Sequence, residues 1–552
     1  MKRIKIGIWM VCMAAGMVSC KDDIGAAAMQ ERQTDNVYME LSVGFSGPAG
    51  HSRSETTTPD GGDYVTSDGG TEEGKEQENG ISEILLVLAD AGTEQNIASG
   101  LLEKASPVEG TESSYAVPVP FRFLKEQTGK TVHVYVFCNP TDDLKTLAST
   151  DSDGNLVSDF VDKACTLADA EGDGVWQDGS FLMSNARIYE ATLPDDWSDY
   201  RSVSHPFPLL GEAVAVERSV ARFDYKAEKT DNIYDVEDGA VDNSGIQVQL
   251  TDISLLNLNK TFYYLRRVAE PGTRVTQLCG VETDDNYVID PYALEKSRYL
   301  VNGWPDKTGC YFYNLEQPET WEWTSLSSLE QAEEDNYTDV EGYHIWRYAT
   351  ENTVPNRGNQ VNGLSTGIAF KGRIIAGAGC DTELANVINA GAEPIYVHEN
   401  KLYGTWKMVG DAANASGADP ALAGDYNAVE NAPDADREET LAHVGFTVYR
   451  PVNGVYETYY YYWNRHNDNG IADSGNGDRM GVMEFAVVRN NVYKLSVSAI
   501  TRFGRPAEDV PDPKDPDEPG PEEEDPVYML MTIKVLPWVT REYTIEIDQN
   551  ND

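Results

Sequence analysis

The sequence predicts a mainly β chain, and three observations carry that prediction. Strand-forming residues are plentiful, with 30 Tyr among 552 residues beside many Val, Ile and Thr, whereas apolar residues at helical spacing over a dozen positions are scarce. Short apolar runs alternate with polar positions and end in clusters of Gly, Asp, Asn and Pro, as strands and their turns do. The length exceeds the roughly 250 to 300 residues at which one core stops growing, so two large domains are expected. Together these give two β-sandwich domains with decorated loops, plus a C-terminal extended region.

Taken in order, residues 1–20 read as an export signal: Lys2, Arg3 and Lys5 precede an apolar run over residues 6–18, too short to span a bilayer. Ser19 before Cys20 resembles a lipobox, in which the cysteine is acylated and becomes the mature N-terminus. Lys21-Asp22-Asp23 resembles the sorting signal of surface lipoproteins in Bacteroidales. A strand follows from Val37 to Phe45, and the polar residues 54–78 read as a loop. Residues 84–88, 132–137 and 214–225 read as strands, and only 144–169 looks partly helical. A loop-like patch at 228–245 closes a first domain, 54–228. The second, 229–504, carries expected strands at 246–258, 366–375, 446–449, 458–463 and 491–500. In 505–526 seven prolines alternate with ten acidic residues and one lysine, the composition of a stiff, extended leash. Beyond it lie expected strands at 527–535 and 543–547, within a terminal region 505–552.

The charge excludes one class of partner. With 92 acidic against 43 basic residues the formal charge is −49, which repels nucleic acid and the anionic inner leaflet. No catalytic or cofactor-binding constellation emerges. Gly363-Leu364-Ser365-Thr366-Gly367 matches G-x-S-x-G, but a nucleophile elbow needs a helix after the serine and a strand is expected there. The seven histidines form no metal-binding pair, and Asp151-Ser152-Asp153-Gly154-Asn155 lacks the rest of a calcium loop. Cys138, Cys165, Cys279, Cys310 and Cys380 lie 27 to 114 residues apart, without metal-knuckle spacing, and read as packing residues with room for one disulfide. The run Tyr459-Tyr460-Tyr461-Tyr462-Trp463 either lines a sugar site or packs a core on alternate positions, and the second reading is favoured.

The strongest internal signal is a repeat of strand character at the two ends. Val37, Met39, Leu41, Val43 and Phe45 align with Val527, Met529, Met531, Ile533 and Val535, so each strand presents one wholly apolar face of the same parity. An accessible loop carrying Arg53 follows the first copy, and the leash precedes the second.

These pieces, with Tyr38 to Arg53, Val216-Glu217-Arg218-Ser219-Val220-Ala221-Arg222, Val487-Val488-Arg489-Asn490-Asn491-Val492-Tyr493 and Val535-Leu536-Pro537-Trp538, resemble the main structural subunits of the Mfa-type (short) fimbriae of Bacteroidales, fimbrillins of the type V pilus class. The resemblance implies two transthyretin-like sandwiches and a non-enzymatic stalk subunit exported as a lipoprotein on Cys20. It also implies a propeptide, residues 21–53, cut between Arg53 and Ser54 by an arginine-specific surface protease. The first strand is then a placeholder, and the C-terminal strand of a neighbouring copy is the donor that replaces it. The implied partners are further copies of the chain and accessory anchor and tip subunits, with no cofactor. The implied place is a cell-surface fimbria, touching the outer membrane only through the precursor's lipid. The alternative reading is a monomeric surface glycan-binding lipoprotein.

Overall fold

Where side chains alternate between a core and the opposite face the strands run long, and three sheets of five or more strands result. The computed structural model of the chain describes residues 35–45, 64–66, 72–148, 164–166, 175–296, 307–330, 341–354, 363–506 and 529–539, with short breaks inside the longer stretches. Strand β1 (Asp35–Phe45) is followed by two short strands, β2 (Tyr64–Thr66) and β3 (Glu72–Glu73). Next come β4 (Glu83–Asp90), β5 (Asn96–Glu103), β6 (Ser114–Phe121), β7 (Thr131–Cys138) and β8 (Met183–Asn185). The series continues with β9 (Tyr189–Thr192), β10 (Phe207–Pro208) and β11 (Val214–Arg218). A nine-stranded sheet has the order β10-β1-β11-β8-β7-β4-β5, with β6 on β1 and β9 on β7. Its core buries Leu86, Val117, Val136, Phe137 and Val216.

The chain then leaves that sheet. Strands β12 (Ala221–Ala227), β13 (Ile246–Leu256), β14 (His344–Ala349), β15 (Gly367–Ala376), β16 (Glu457–Trp463), β17 (Asn491–Ile500) and β18 (Met529–Val539) build the rest. A six-stranded sheet runs β2-β18-β17-β12-β14 with β3 also on β18. A five-stranded one runs Ile233–Asp235, β13, β15, β16 with Thr324–Ser325 on β13. Phe223, Val248, Ile253, Phe370, Tyr460 and Val497 fill a second core that draws on both.

The chain is mainly β, and several details differ from the sequence reading. Residues 214–225 are not one strand: β11 and β12 are separated at Ser219 and Val220 and belong to different sheets. The expected domain limit at residue 228 falls one position beyond the end of β12. The polar stretch 54–78 is not all loop, because β2, β3 and a helical turn, Glu76–Asn79, lie in it. Its acidic residues mislead, since Glu72 and Glu78 are buried against cations. Helices Thr382–Ala390, Trp406–Ala413, Pro420–Asn431 and Arg437–His443 occupy a segment in which no helix was expected. Their signal is in the caps rather than in periodicity. The Asp381 carboxylate accepts from two backbone N–H groups, the Thr405 hydroxyl accepts from Met408 N, and Asp419 precedes Pro420. The first of them ends at Gly391 with φ +54°, where an added Cβ would lie 2.1 Å from the Gly454 carbonyl oxygen. Of the expected partly helical stretch 144–169, the described residues are the end of the helix Asp142–Ala148 and the strand Ala164–Thr166. The last described strand runs through Pro537 to Val539, and residues 543–547 lie outside the described residues.

Candidate functional site

Strand β1 occupies the middle of its sheet. It runs antiparallel to β6 from Asp35, opposite Phe121, to Ser42, opposite Ser114. Parallel to it, β10 pairs at Met39 and Glu40, and β11 pairs from Val43, opposite Val214, to Phe45, opposite Val216. Val37 and Met39 are 0% exposed, Leu41 1% and Val43 4%, all in the first core, whereas Tyr38, Glu40 and Ser42 between them are half-buried. The Phe45 side chain lies outside the described residues. The partner strand β6 carries Pro118 and Pro120, which have no N–H to give. Two residues apart, they point to one side of β6, and among the described residues that strand pairs with β1 alone. Withdrawing β1 would therefore open an apolar slot and unpair the backbone of β6, β10 and β11.

Strand β18 lies elsewhere. It pairs antiparallel with β17 from Met529, opposite Ile500, to Pro537, opposite Asn491, with a bulge between Val497 and Ala499. Its other edge is taken in parallel by β2, where Tyr64 faces Met531, and by β3, where Glu72 faces Trp538. Met529 and Met531 are buried in the second core. Ile533 and Val535 are placed by backbone register alone, opposite Leu495 and Tyr493. The two end strands thus do not meet; each completes a different sheet. Cys20, Arg53, Ser54 and Val527 lie outside the described residues.

Between the strands sits a buried charge network that the sequence reading missed. The Arg222 guanidinium donates to Asp224 (2.9 and 2.7 Å), to Glu78 (2.9 and 3.2 Å) and to Glu72 (2.9 Å). Lys494 on β17 donates to the second Glu72 oxygen at 2.7 Å, and the Tyr348 hydroxyl on β14 donates to Glu78 at 2.7 Å. Arg218 donates to the Glu78 carbonyl at 3.1 Å and to the Asn79 side chain. Three carboxylates thus converge on one fork, and segment 72–79 is anchored to β12, β14 and β17. Burial pushes Asp224 up to about 6, with Arg222 opposing the rise. A second buried pair, Arg489 and Glu351, is bidentate at 2.8 and 2.7 Å. The signal was present in the sequence: arginines inside apolar runs, at 218 and 222 and at 489, must be paired if those runs are buried.

The remaining candidates resolve into packing. Tyr460, Tyr462 and Trp463 are buried, while Tyr459 and Tyr461 are met edge-on by Trp323 and Trp321. Ser365 is buried and leads into β15, not a helix. Cys138 and Cys279 are buried thiols, and Cys310 and Cys380 are partly exposed; none of these four is bridged. Cys165 lies on the Ala164–Thr166 strand, its side chain outside the described residues, as are residues 151–155. Among the described residues, no group of three or more His, Cys, Asp or Glu side chains is arranged to hold a metal ion.

Residues 452–544, from just before β16 through β18, match the family model described as "Major fimbrial subunit protein type IV, Fimbrillin, C-terminal". Among solved structures, the chain is similar to a fimbrilin (fimA) from Porphyromonas gingivalis W83, at 15% identity and a TM-score of 0.37, over 92% of this chain and 99% of that one. It is similar also to the tip fimbrial protein Mfa3 from Porphyromonas gingivalis with C-terminal truncation, at 12% identity and a TM-score of 0.37, over 91% and 100%. No curated protein matches the sequence.

Proposed function

We propose that the chain is a structural stalk subunit of a cell-surface fimbria supporting adhesion, polymerised by strand exchange. The observation that carries the reading is the fimbrillin match over residues 452–544, which contains β18. In this reading the precursor is anchored to the outer membrane through acylated Cys20, and an arginine-specific surface protease cuts between Arg53 and Ser54. Strand β1, within propeptide 21–53, departs, and β18 of a neighbouring copy enters its slot. The slot would accept Val527, Met529, Met531, Ile533 and Val535 in the places of Val37, Met39, Leu41, Val43 and Phe45, because strand pairing supplies the hold and alternation supplies the register. In this reading the domains are 54–228 and 229–504, the first lending β2, β3 and β12 to the six-stranded sheet, with the leash from 505.

The energetics explain why a cut is needed. Four buried side chains of Val, Leu and Met size contribute roughly 6 to 12 kcal/mol at about 1.5 to 3 kcal/mol each, whichever strand supplies them. A donor cannot win on contacts that the placeholder also makes. Cutting the tether removes the effective concentration of β1, on the order of millimolar for a short linker, and lets a neighbour compete. The leash, about 70 Å if extended at about 3.1 Å per residue, supplies the reach.

The test is to sequence the N-terminus of the assembled surface form and to follow polymer ladders. An N-terminus at Ser54 is expected, with ladders lost when residues 527–552 are deleted. Lipid-linked Cys20 on assembled polymers, or normal ladders from the truncation, would overturn the proposal.

A further inference from the structure

Away from both end strands, three buried side chains form an arrangement with its own chemistry. Lys296 ends the short helix Ala293–Lys296, Asp290 precedes that helix, and Asn352 lies three residues past the end of β14. All three are at most 1% exposed. The Lys296 ammonium donates to Asn352 Oδ1 at 2.5 Å and also to Asp290 Oδ2. A carbonyl bond of about 1.23 Å puts Asn352 Cγ within about 3.7 Å of Nζ, close to the separation at which bonds form.

The carboxamide is held in one orientation. Its Nδ2 shares its two hydrogens among the Thr366 hydroxyl (2.9 Å), the Leu364 carbonyl (3.0 Å) and the Asn257 carbonyl (3.1 Å), which leaves Oδ1 facing the lysine. Its backbone is fixed to Val487 by two hydrogen bonds of 3.0 and 2.7 Å. Asp290 is fixed as well: it accepts from Thr353 N (2.8 Å) and the Thr353 hydroxyl (3.2 Å) on Oδ2, and from Tyr292 N (2.7 Å) on Oδ1. The buried Tyr311 ring covers the ammonium, its centroid 5.8 Å from Nζ.

We propose that Lys296 and Asn352 are joined by an intramolecular isopeptide bond, formed by the chain itself with Asp290 as the proton carrier. The ammonium passes one proton to the Asp290 carboxylate, and the neutral amine attacks Cγ of Asn352. A second hydrogen moves from Nζ to Nδ2, the Cγ–Nδ2 bond breaks, and ammonia leaves, taking the Asp290 proton as ammonium. One C–N bond forms and one breaks, with no change of oxidation state. Burial favours the reactive form, since desolvation lowers the Lys296 pKa against the pull of Asp290. The low-dielectric surroundings also strengthen the hydrogen bonds that position the amide. The product would close a covalent loop between residues 296 and 352 and carry load between segments that otherwise share only hydrogen bonds and packing. It stands independently of the fimbrial reading.

The test is tandem mass spectrometry of protease digests of the purified full chain. A branched peptide joining Lys296 to Asn352, lighter by one ammonia than the two linear peptides together, is expected from the wild type. Asp290→Ala, which keeps both reacting side chains, and Lys296→Arg should give only linear peptides. Asn352→Asp should restore the same branched peptide by loss of water. Linear peptides with unmodified Lys296 and Asn352 from the wild type would overturn the inference, and so would a branch between Lys296 and Asp290.

Discussion

Replacing Arg222 with methionine removes the one group on which three buried carboxylates converge. Methionine fills comparable volume, so the effect is electrostatic rather than a cavity. Glu72 retains Lys494, but Asp224 loses both of its charge-assisted bonds to Arg222, and among the described residues Glu78 keeps the Tyr348 hydroxyl and the Lys75 backbone N–H. Removing one partner of a buried pair costs about 3 to 5 kcal/mol, against a total stability of about 5 to 15 kcal/mol for a domain. At a slope of about 2 kcal/mol per molar, the urea midpoint should fall by roughly 1.5 to 2.5 M, read by tryptophan fluorescence of the purified chain. Part of this loss is carboxylate left without a counter-charge. Arg222→Met combined with Glu78→Gln and Asp224→Asn should therefore be more stable than Arg222→Met alone. A single variant that costs less than about 1 kcal/mol, or a combined variant no better than the single, would refute this account of the network.

Met531→Asp places a charge in the second core, 1% exposed, and should cost several kcal/mol, loosening β18 toward added protease and abolishing polymer ladders; Thr532→Asp, one step along the two-residue repeat, should be far milder in both assays. For Asp224 the folded value of about 6 lies above the ordinary 3.8, so the native state binds this proton more tightly; the contribution is complete below pH 4 and is lost as pH rises to about 6. Urea unfolding should accordingly show the wild type gaining about 1 to 3 kcal/mol relative to Asp224→Asn as pH falls from 7 to 4. Burial pushes the thiols of Cys138 and Cys279 up to about 12, so iodoacetamide should label Cys380 and Cys310 in the native chain well before either, and equal labelling would contradict the packing.

Strands with a clean two-residue repeat or a continuous buried run were legible in the sequence. Residues 446–449 and 491–500 fall at the observed limits, and the 84–88 and 132–137 runs lie inside β4 and β7. Strand β6 was not legible, because Pro118 and Pro120 read as breakers until a neighbour on only one side makes their missing N–H groups harmless. The four helices at 382–443 were hidden by length: each buries only a few apolar residues, such as Leu384 and Ile388 in the first, too few to establish a helical period. Glu72 and Glu78 illustrate a different limit. A charge is read as exposed unless its partner is known, and Arg222 lies about 150 positions away in sequence.

The likeness between the two end strands gains a physical meaning once their neighbours are known. Shared parity alone means only that each buries one face, and β1 and β18 bury theirs in different cores. For β18 to serve a neighbour it must leave β17 on one edge and β2 with β3 on the other, so release of the donor is a barrier as well as release of the placeholder. Strand β2 lies between the proposed cut and the buried Glu72 and Glu78, the first of which belongs to β3. Before the cut, residues 46–63 connect β1 directly to β2, and each strand limits how far the other can move. After it, β2 follows a free end, while the charge network still anchors the chain from residue 72 onward. A single cleavage would then weaken the hold on both strands: β1 loses its tether outright, and β18 keeps an outer partner that can fray from one end. That asymmetry favours exchange without any new contact, because the incoming donor needs only to outlast a placeholder that can now diffuse away.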